Sequence, residues 1–330
     1  MFTNATSFNR DIKDWVTERV TNFRQTFEGA SSFNPSALNW DTGAAFNMES
    51  MFRFCTSFAV TFLSWNTGSV LNMKRMFEGT TSFNPSSLDF NTSSVNNMRA
   101  MFKEAPLFNA SDLASWDTAS VTEMSELFSD ATSFNADISS WTVTSVTNMG
   151  SMFFRARAFN KPIGGWNTGN VVSMFRMFRG ARIFNSDITS WDTSSVTDMS
   201  KMFKWTRDFD QPILFWDTSA VEDFAEMFNN ARGFNQNLCL WKFGGFQYDN
   251  ATNIFAGSNC NYEETPSLDD PYQGPFCRDD CGPSAAPSSE PSSTPSCTPS
   301  ESPTESPSTE FGVHLFYPIW VLGNDGCRLV

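Results

Sequence analysis

The chain has 330 residues and a formal net charge of -14, with 35 Phe, 15 Met and 11 Trp against 4 Tyr and a single His. That lone imidazole, His314 near the C-terminus, argues against Ser/His/Asp or Cys/His catalysis and against His-ligated metal sites, so neither an enzyme nor a cofactor is expected. A pI of about 4.5 speaks against a nucleic-acid partner, and no run reaches the roughly 18 to 20 apolar residues needed to span a bilayer.

From the N-terminus onward, one unit of 25 residues recurs. Tryptophans stand at Trp15, Trp40, Trp65, Trp116, Trp141, Trp166, Trp191, Trp216 and Trp241, with Phe90 filling the one gap. The spacing is 25 throughout except for a single 26 after Phe90, which places an inserted residue near Asn109 to Leu113. Met-Phe pairs such as Met51-Phe52, Met76-Phe77 and Met202-Phe203 keep the same phase, each preceded three residues earlier by another Met. A Phe-Asn pair follows, as in Phe8-Asn9, Phe33-Asn34 and Phe184-Asn185. Met1-Phe2 already occupies the Met-Phe position, so the chain opens inside a unit. From this the native N-terminus, with any signal peptide, is expected to lie upstream.

Within a unit, Val196, Met199, Met202, Phe203 and Thr206 follow a spacing that predicts one face of a short helix. Ser195 with Asp198 and Ser120 with Glu123 resemble capping boxes that would start it. The stretch Phe184 to Trp191 predicts a short strand or turn. Each unit then has an apolar face that only a neighbouring unit can cover, which makes residues 1–256 a solenoid of about ten repeats. The Asn after the second Phe predicts a buried ladder, and the Asp/Asn-Thr pair after Trp a turn into a helix N-cap.

The string Ser-Val-Thr-Asp-Met-Ser-Lys-Met-Phe at 195–203, preceded by Ala-x-x-Phe-Asn-x-Asp-Ile-x-x-Trp at 181–191, resembles the repeat of BspA-type leucine-rich-repeat surface proteins. The same unit is known as a domain of unknown function in mycoplasma lipoproteins. The resemblance covers residues 1 to about 256. It implies an α/β solenoid like the leucine-rich repeat, with short parallel strands on one side and short helices on the other. It also implies adhesion or surface display, and it brings no catalytic residues.

Residues 242–256 leave the pattern and read as a terminal cap, continued by a Cys-containing segment at 257–282. Cys239, Cys260, Cys277 and Cys281 could form two disulfides in three pairings, with a zinc site as the rival reading. Proline every fourth residue at 283–310 predicts an extended stalk, and the apolar tail 311–330 is too short to span a membrane. Sequons at Asn4, Asn91, Asn109 and Asn250 fit a secretory route to an extracellular or cell-surface location.

Charge divides by region: 11 acidic and 2 basic residues follow Gly257, against 25 and 20 before it. One repeat position carries Arg157, Arg182, Arg207 and Arg232 in consecutive units, and another carries Arg179 and Lys204. Stacking turns these into a basic stripe, either a solvated face or a contact surface for an anionic polysaccharide or a partner protein. The expected function is therefore non-enzymatic adhesion or ligand binding. Alternatives are a self-assembling matrix protein and, through the Thr column from Thr17 to Thr218, an ice-binding surface.

Overall fold

The computed structural model describes residues 1–271, 273–279 and 281, and the backbone of 320–323 and 326–329. It forms two compact units, Met1–Pro283 and Ser284–Val330. The first contains strands β1 (Phe62–Trp65) and β2 (Ser87–Phe90), which pair in parallel with Trp65 opposite Phe90. The second contains β3 (Trp320–Gly323) and β4 (Gly326–Leu329), an antiparallel pair. The expected stalk at 283–310 lies outside the described residues, as does the tail at 311–330 apart from β3 and β4.

Each repeat forms one coil, and successive coils stack in parallel. Single-residue parallel bridges join Asn22, Asn47, Asn72, Asn97, Glu123, Asn148, Ser173, Asp198 and Asp223 in an unbroken series, one per coil. The expected α/β solenoid with helices on one side is not found. Among the described residues there is no α-helix, only the 3-10 turns Ser111–Ser115, Cys239–Phe243 and Tyr248–Asn250, and parallel strands are confined to β1 and β2.

The backbone explains why. Along the stretch read as a helix, the N–H groups of Met199, Lys201, Phe203 and Trp205 donate to Asp223, Ala225, Met227 and Asn229 of the next coil, at 2.9 to 3.0 Å. Those of Met202, Lys204 and Thr206 donate three residues back within their own coil. Lys201 and Trp205 are left-handed, at φ 59° and 62°, and the same two positions are left-handed in coil after coil. A left-handed residue every few positions cannot belong to an α-helix. The apolar spacing of three, which imitates a helical face, comes instead from consecutive tight turns whose first and last residues both point inward. The supposed capping boxes serve these turns too: Asp198 Oδ1 accepts the Ser200 N–H, whereas Ser195 Oγ donates to Gly169 O of the preceding coil.

Three polar columns link the coils from the side. Thr17, Thr42, Thr67, Thr92, Thr118, Thr168 and Thr193 are each at most 5% exposed and donate Oγ1 to a carbonyl of the following coil at 2.8 to 2.9 Å. Buried and bonded, these hydroxyls cannot order water, which removes the ice-binding alternative. The indole N–H of Trp40, Trp65, Trp141 and Trp191 donates to the Ile/Leu carbonyl one coil back at 2.8 to 3.0 Å. Asn9, Asn109, Asn135 and Asn185 each accept the backbone N–H of the equivalent residue one coil on at 2.8 to 3.1 Å. This Asn ladder lies at the exposed rim rather than in the core, and it joins side chain to backbone rather than amide to amide.

The core is a set of aromatic ladders. From Phe2 to Phe255 the Met-Phe rings stack coil on coil with centroids 5.5 to 5.8 Å apart. At roughly 1.5 to 3 kcal/mol per buried large apolar side chain, the burial between neighbouring coils exceeds anything a coil could achieve alone. The extra residue near Asn109 to Leu113 is absorbed by the turn Ser111–Ser115, which keeps Leu113 in the core and its carbonyl on Trp141 Nε1. Cys55 fills the small-residue position, donates to Phe27 O at 3.0 Å, and has its thiol pKa pushed up to about 12 by burial.

At the C-terminal end the stacked rings meet Phe246, Tyr248 and Phe276, which pack edge to face against one another and offer no parallel face for a further coil. Disulfides Cys239–Cys281 and Cys260–Cys277 tie this cap down, choosing one of the three pairings and excluding zinc ligation by the same thiolates.

Two stability predictions follow from the columns and the cap. Thr193→Val removes the bond to Asp217 O and should cost about 1 to 3 kcal/mol. Thr218→Val should be near neutral, since the buried Thr218 Oγ1 has no partner. Urea unfolding of the two variants measures the contrast, and equal losses would overturn it. Reducing the disulfides, which close loops of 42 and 17 residues, should weaken the cap by up to about 4 and about 3 kcal/mol. Hydrogen exchange at 239–281 with and without reductant reads this directly.

Candidate functional site

The left-handed position two residues beyond each Met-Phe pair projects outward, and what occupies it shapes the surface. It reads Phe54, Gly79, Glu104, Asp130, Arg155, Gly180, Trp205 and Asn230 along the stack. Gly180, at φ 74°, leaves a gap between Arg155 and Trp205, so a recess of about 360 Å³ opens there. It is lined by Arg155, Arg157, Arg182, Trp205, Arg207 and Arg232, with Gly180 and Asn230.

The structure thus brings together four of the predicted stripe residues, Arg157, Arg182, Arg207 and Arg232, all exposed. Among the described residues none of the four has a carboxylate within 4.0 Å, although Asp208 adjoins Arg207 in sequence. Arg155 is the exception in the groove, pairing with Asp130 at 3.6 Å.

Arg179 and Lys204 do not line the recess. They lie half-buried on the adjoining strip, where the Arg179 guanidinium sits 5.5 Å from the Phe154 ring and 4.8 Å from the Trp205 ring. Lys204 lies 4.9 Å from Trp205 and is ion-paired with Glu226. Burial lowers the pKa of Arg179, and the neighbouring charges of Arg176 and Arg155 lower it further. Lys204 is lowered by burial, then by Arg179, Lys201 and Arg176. Arg179 thus sits among like charges with no carboxylate within 4.0 Å among the described residues, whereas Lys201 and Lys204 share Glu226. Nε of Arg176 and of Arg179 is buried without a partner.

The same face is neutralised in the earlier coils. Arg53 lies between Glu28 at 2.9 Å and Glu78 at 2.8 Å, and burial, which would lower its pKa, is outweighed by these two partners, which raise it. Glu126 accepts from both Arg99 and Lys103; burial pushes its pKa up, but those two cations bring it below the usual value. In the position just after Met-Phe, acid and base alternate from Glu28 to Lys103, whereas beyond Phe154 the same position carries the cations Arg179 and Lys204, of which Lys204 is paired with Glu226.

Arg155, Gly180 and Trp205 are groove residues that the sequence reading did not single out. The available signal was glycine recurring at one repeat position, Gly29, Gly79 and Gly180, which marks a left-handed turn that other residues also occupy. The sequon residues Asn4, Asn91, Asn109 and Asn250 are all exposed, and Asn250 Nδ2 donates to Glu222 O at 2.9 Å. Among the described residues no group of three or more His, Cys, Asp or Glu could hold a metal ion, and no helix is long and apolar enough to cross a membrane.

The imbalance predicts opposite responses to salt. Arg53→Gln should destabilise by about 1 to 2 kcal/mol, with the deficit shrinking as salt screens the lost attraction. Arg179→Gln relieves repulsion from Arg176 and Arg155, so its stability relative to the parent should be best at low salt. Unfolding midpoints from about 0.01 to about 1 M NaCl test both, and parallel salt curves would refute the contrast.

The family model described as "Mycoplasma protein of unknown function, DUF285" matches three overlapping segments, residues 1–111, 86–182 and 162–264. No curated protein and no solved structure matches the chain.

Proposed function

We propose that this chain, which belongs to the DUF285 family of Mycoplasma proteins of unknown function, is a non-enzymatic extracellular or cell-surface repeat protein. It acts by presenting its stacked coils as a contact surface for an external ligand or partner. The observation that carries this reading is how the polar groups are divided. The Thr, Trp and Asn columns are engaged in holding coils together, whereas the arginines of the groove are exposed and mostly without carboxylate partners. The resemblance to BspA-type surface proteins supports adhesion as the setting. The two disulfides support an oxidising compartment, since such bonds are rare in the cytosol.

A self-assembling matrix protein is the competing reading, and one pair of measurements separates them. The full chain is applied to an array carrying neutral, sialylated and sulfated glycans together with immobilised matrix proteins, and its sedimentation is followed over a range of concentrations. Retention on at least one array class by a monomeric species is the expected result. A blank array accompanied by concentration-dependent polymers would replace this function with assembly.

A further inference from the structure

The groove narrows the chemistry of that ligand. We infer that it binds a linear sulfated or carboxylated polysaccharide laid along the stacking direction, an inference that rests on the contact-surface function proposed above.

Arg157, Arg182, Arg207 and Arg232 occupy one position in four consecutive coils and all line the recess. At roughly 5 Å per coil, the strand spacing, they form a row of about 15 Å. A single small anion engages one or two guanidinium groups, whereas an extended polyanion engages all four. Guanidinium forks hold sulfate or carboxylate oxygens through paired N–H bonds and stay charged throughout the physiological range. Binding breaks no internal ion pair for these four, so their charge is available in full.

The remaining lining suits a sugar. Gly180 keeps the floor open, since a Cβ there would stand 3.3 Å from Arg155 Cγ. Trp205, 43% exposed, supplies apolar surface for the C–H-rich face of a pyranose ring. Single-stranded nucleic acid is a poorer fit, because base stacking uses successive aromatic platforms and this recess has one. The disulfides favour an oxidising, extracellular setting, where acidic glycans rather than nucleic acids are the abundant polyanions.

The test is fluorescence anisotropy of the full chain with a labelled heparin octasaccharide across a series of salt concentrations. Neutral dextran oligosaccharide, single-stranded DNA, inorganic polyphosphate and phosphatidylserine vesicles are run alongside. The octasaccharide should bind more tightly than any of these, with an affinity that falls linearly in log salt. Arg182→Ser/Arg207→Ser should weaken it at least tenfold and flatten the slope by about one to two. Arg10→Ser/Arg19→Ser, in the first coil, should leave it unchanged. Trp205→Ala should weaken octasaccharide binding several-fold without changing polyphosphate binding. The arginine side chains of the test pair make no ion pair, so unfolding midpoints confirm that these variants are intact. Unchanged affinity in the Arg182/Arg207 variant overturns the inference, as does tighter binding of DNA or vesicles. If the octasaccharide fails to bind while the array retains the chain on another ligand, this inference falls and the contact-surface function stands. If the array is blank as well, both fall.

Discussion

Everything in this molecule depends on how the backbone N–H groups are shared between two kinds of partner. In each coil they alternate between a carbonyl three residues back and a carbonyl in the next coil, as at Met199 to Thr206. The first kind curls the chain and the second holds the coil to its neighbour. Neither alone gives a regular element: the local bonds are too short for an α-helix, and the inter-coil bonds are interrupted too often for a continuous strand. The left-handed residues at Lys201 and Trp205 are the points where the chain switches between them. Non-glycine residues are strained there, and they persist because stacked neighbours fix the backbone on either side.

That division explains what a sequence can and cannot disclose here. The period, the inward positions and the stacking were legible, because Val, Met, Phe and Trp recur at fixed phase and none can be covered within one coil. The secondary structure was not. Inward residues three apart suit a helix with 3.6 residues per turn almost as well as a chain of tight turns, and periodicity alone does not separate them. The discriminating signal was glycine at Gly29, Gly79 and Gly180 inside the supposed helix, where it is unfavourable in a helix yet well suited to a left-handed turn. The Thr column likewise gave away its position but not its burial, since Asp41-Thr42 or Asp217-Thr218 reads equally well as an exposed turn. Four of the groove's arginines could be aligned by phase alone. Arg155 and Trp205 could not, because their shared position holds a different residue type in almost every coil.

Cation–aromatic contacts hold part of the groove strip. Arg179 reaches the ring of the coil before it, Phe154, and of the coil after it, Trp205, while Arg176 covers Phe175 at 4.4 Å. A guanidinium over a ring is held without a carboxylate and keeps its full charge. In the earlier coils the same work is done by ion pairs, as between Arg53 and its two glutamates, which cancel charge as they bind. Both devices occur in both halves, since Arg53 also covers Phe54 at 4.3 Å and Lys201 and Lys204 pair with Glu226, but only in the later coils do cations such as Arg179 rest on rings without a carboxylate partner.

A stacked architecture makes such a difference easy to encode. Each outward residue meets its own coil and the equivalent positions on either side, so its effect stays local. The position just after Met-Phe reads Glu28, Arg53, Glu78, Lys103, Ser129, Phe154, Arg179, Lys204 and Asn229. Alternating signs neutralise it through Lys103, Ser129 and Phe154 end the alternation, and the next two positions both carry cations. The columns that hold coils together, Thr, Trp and the inward Met and Phe, run through this transition with two apolar replacements, Leu127 for a Met and Val143 for a Thr. Both are buried in the same way. The groove thus arises from a change at a few outward positions on a scaffold whose inward positions stay buried, and its charge can be altered with little consequence for the stack beneath it.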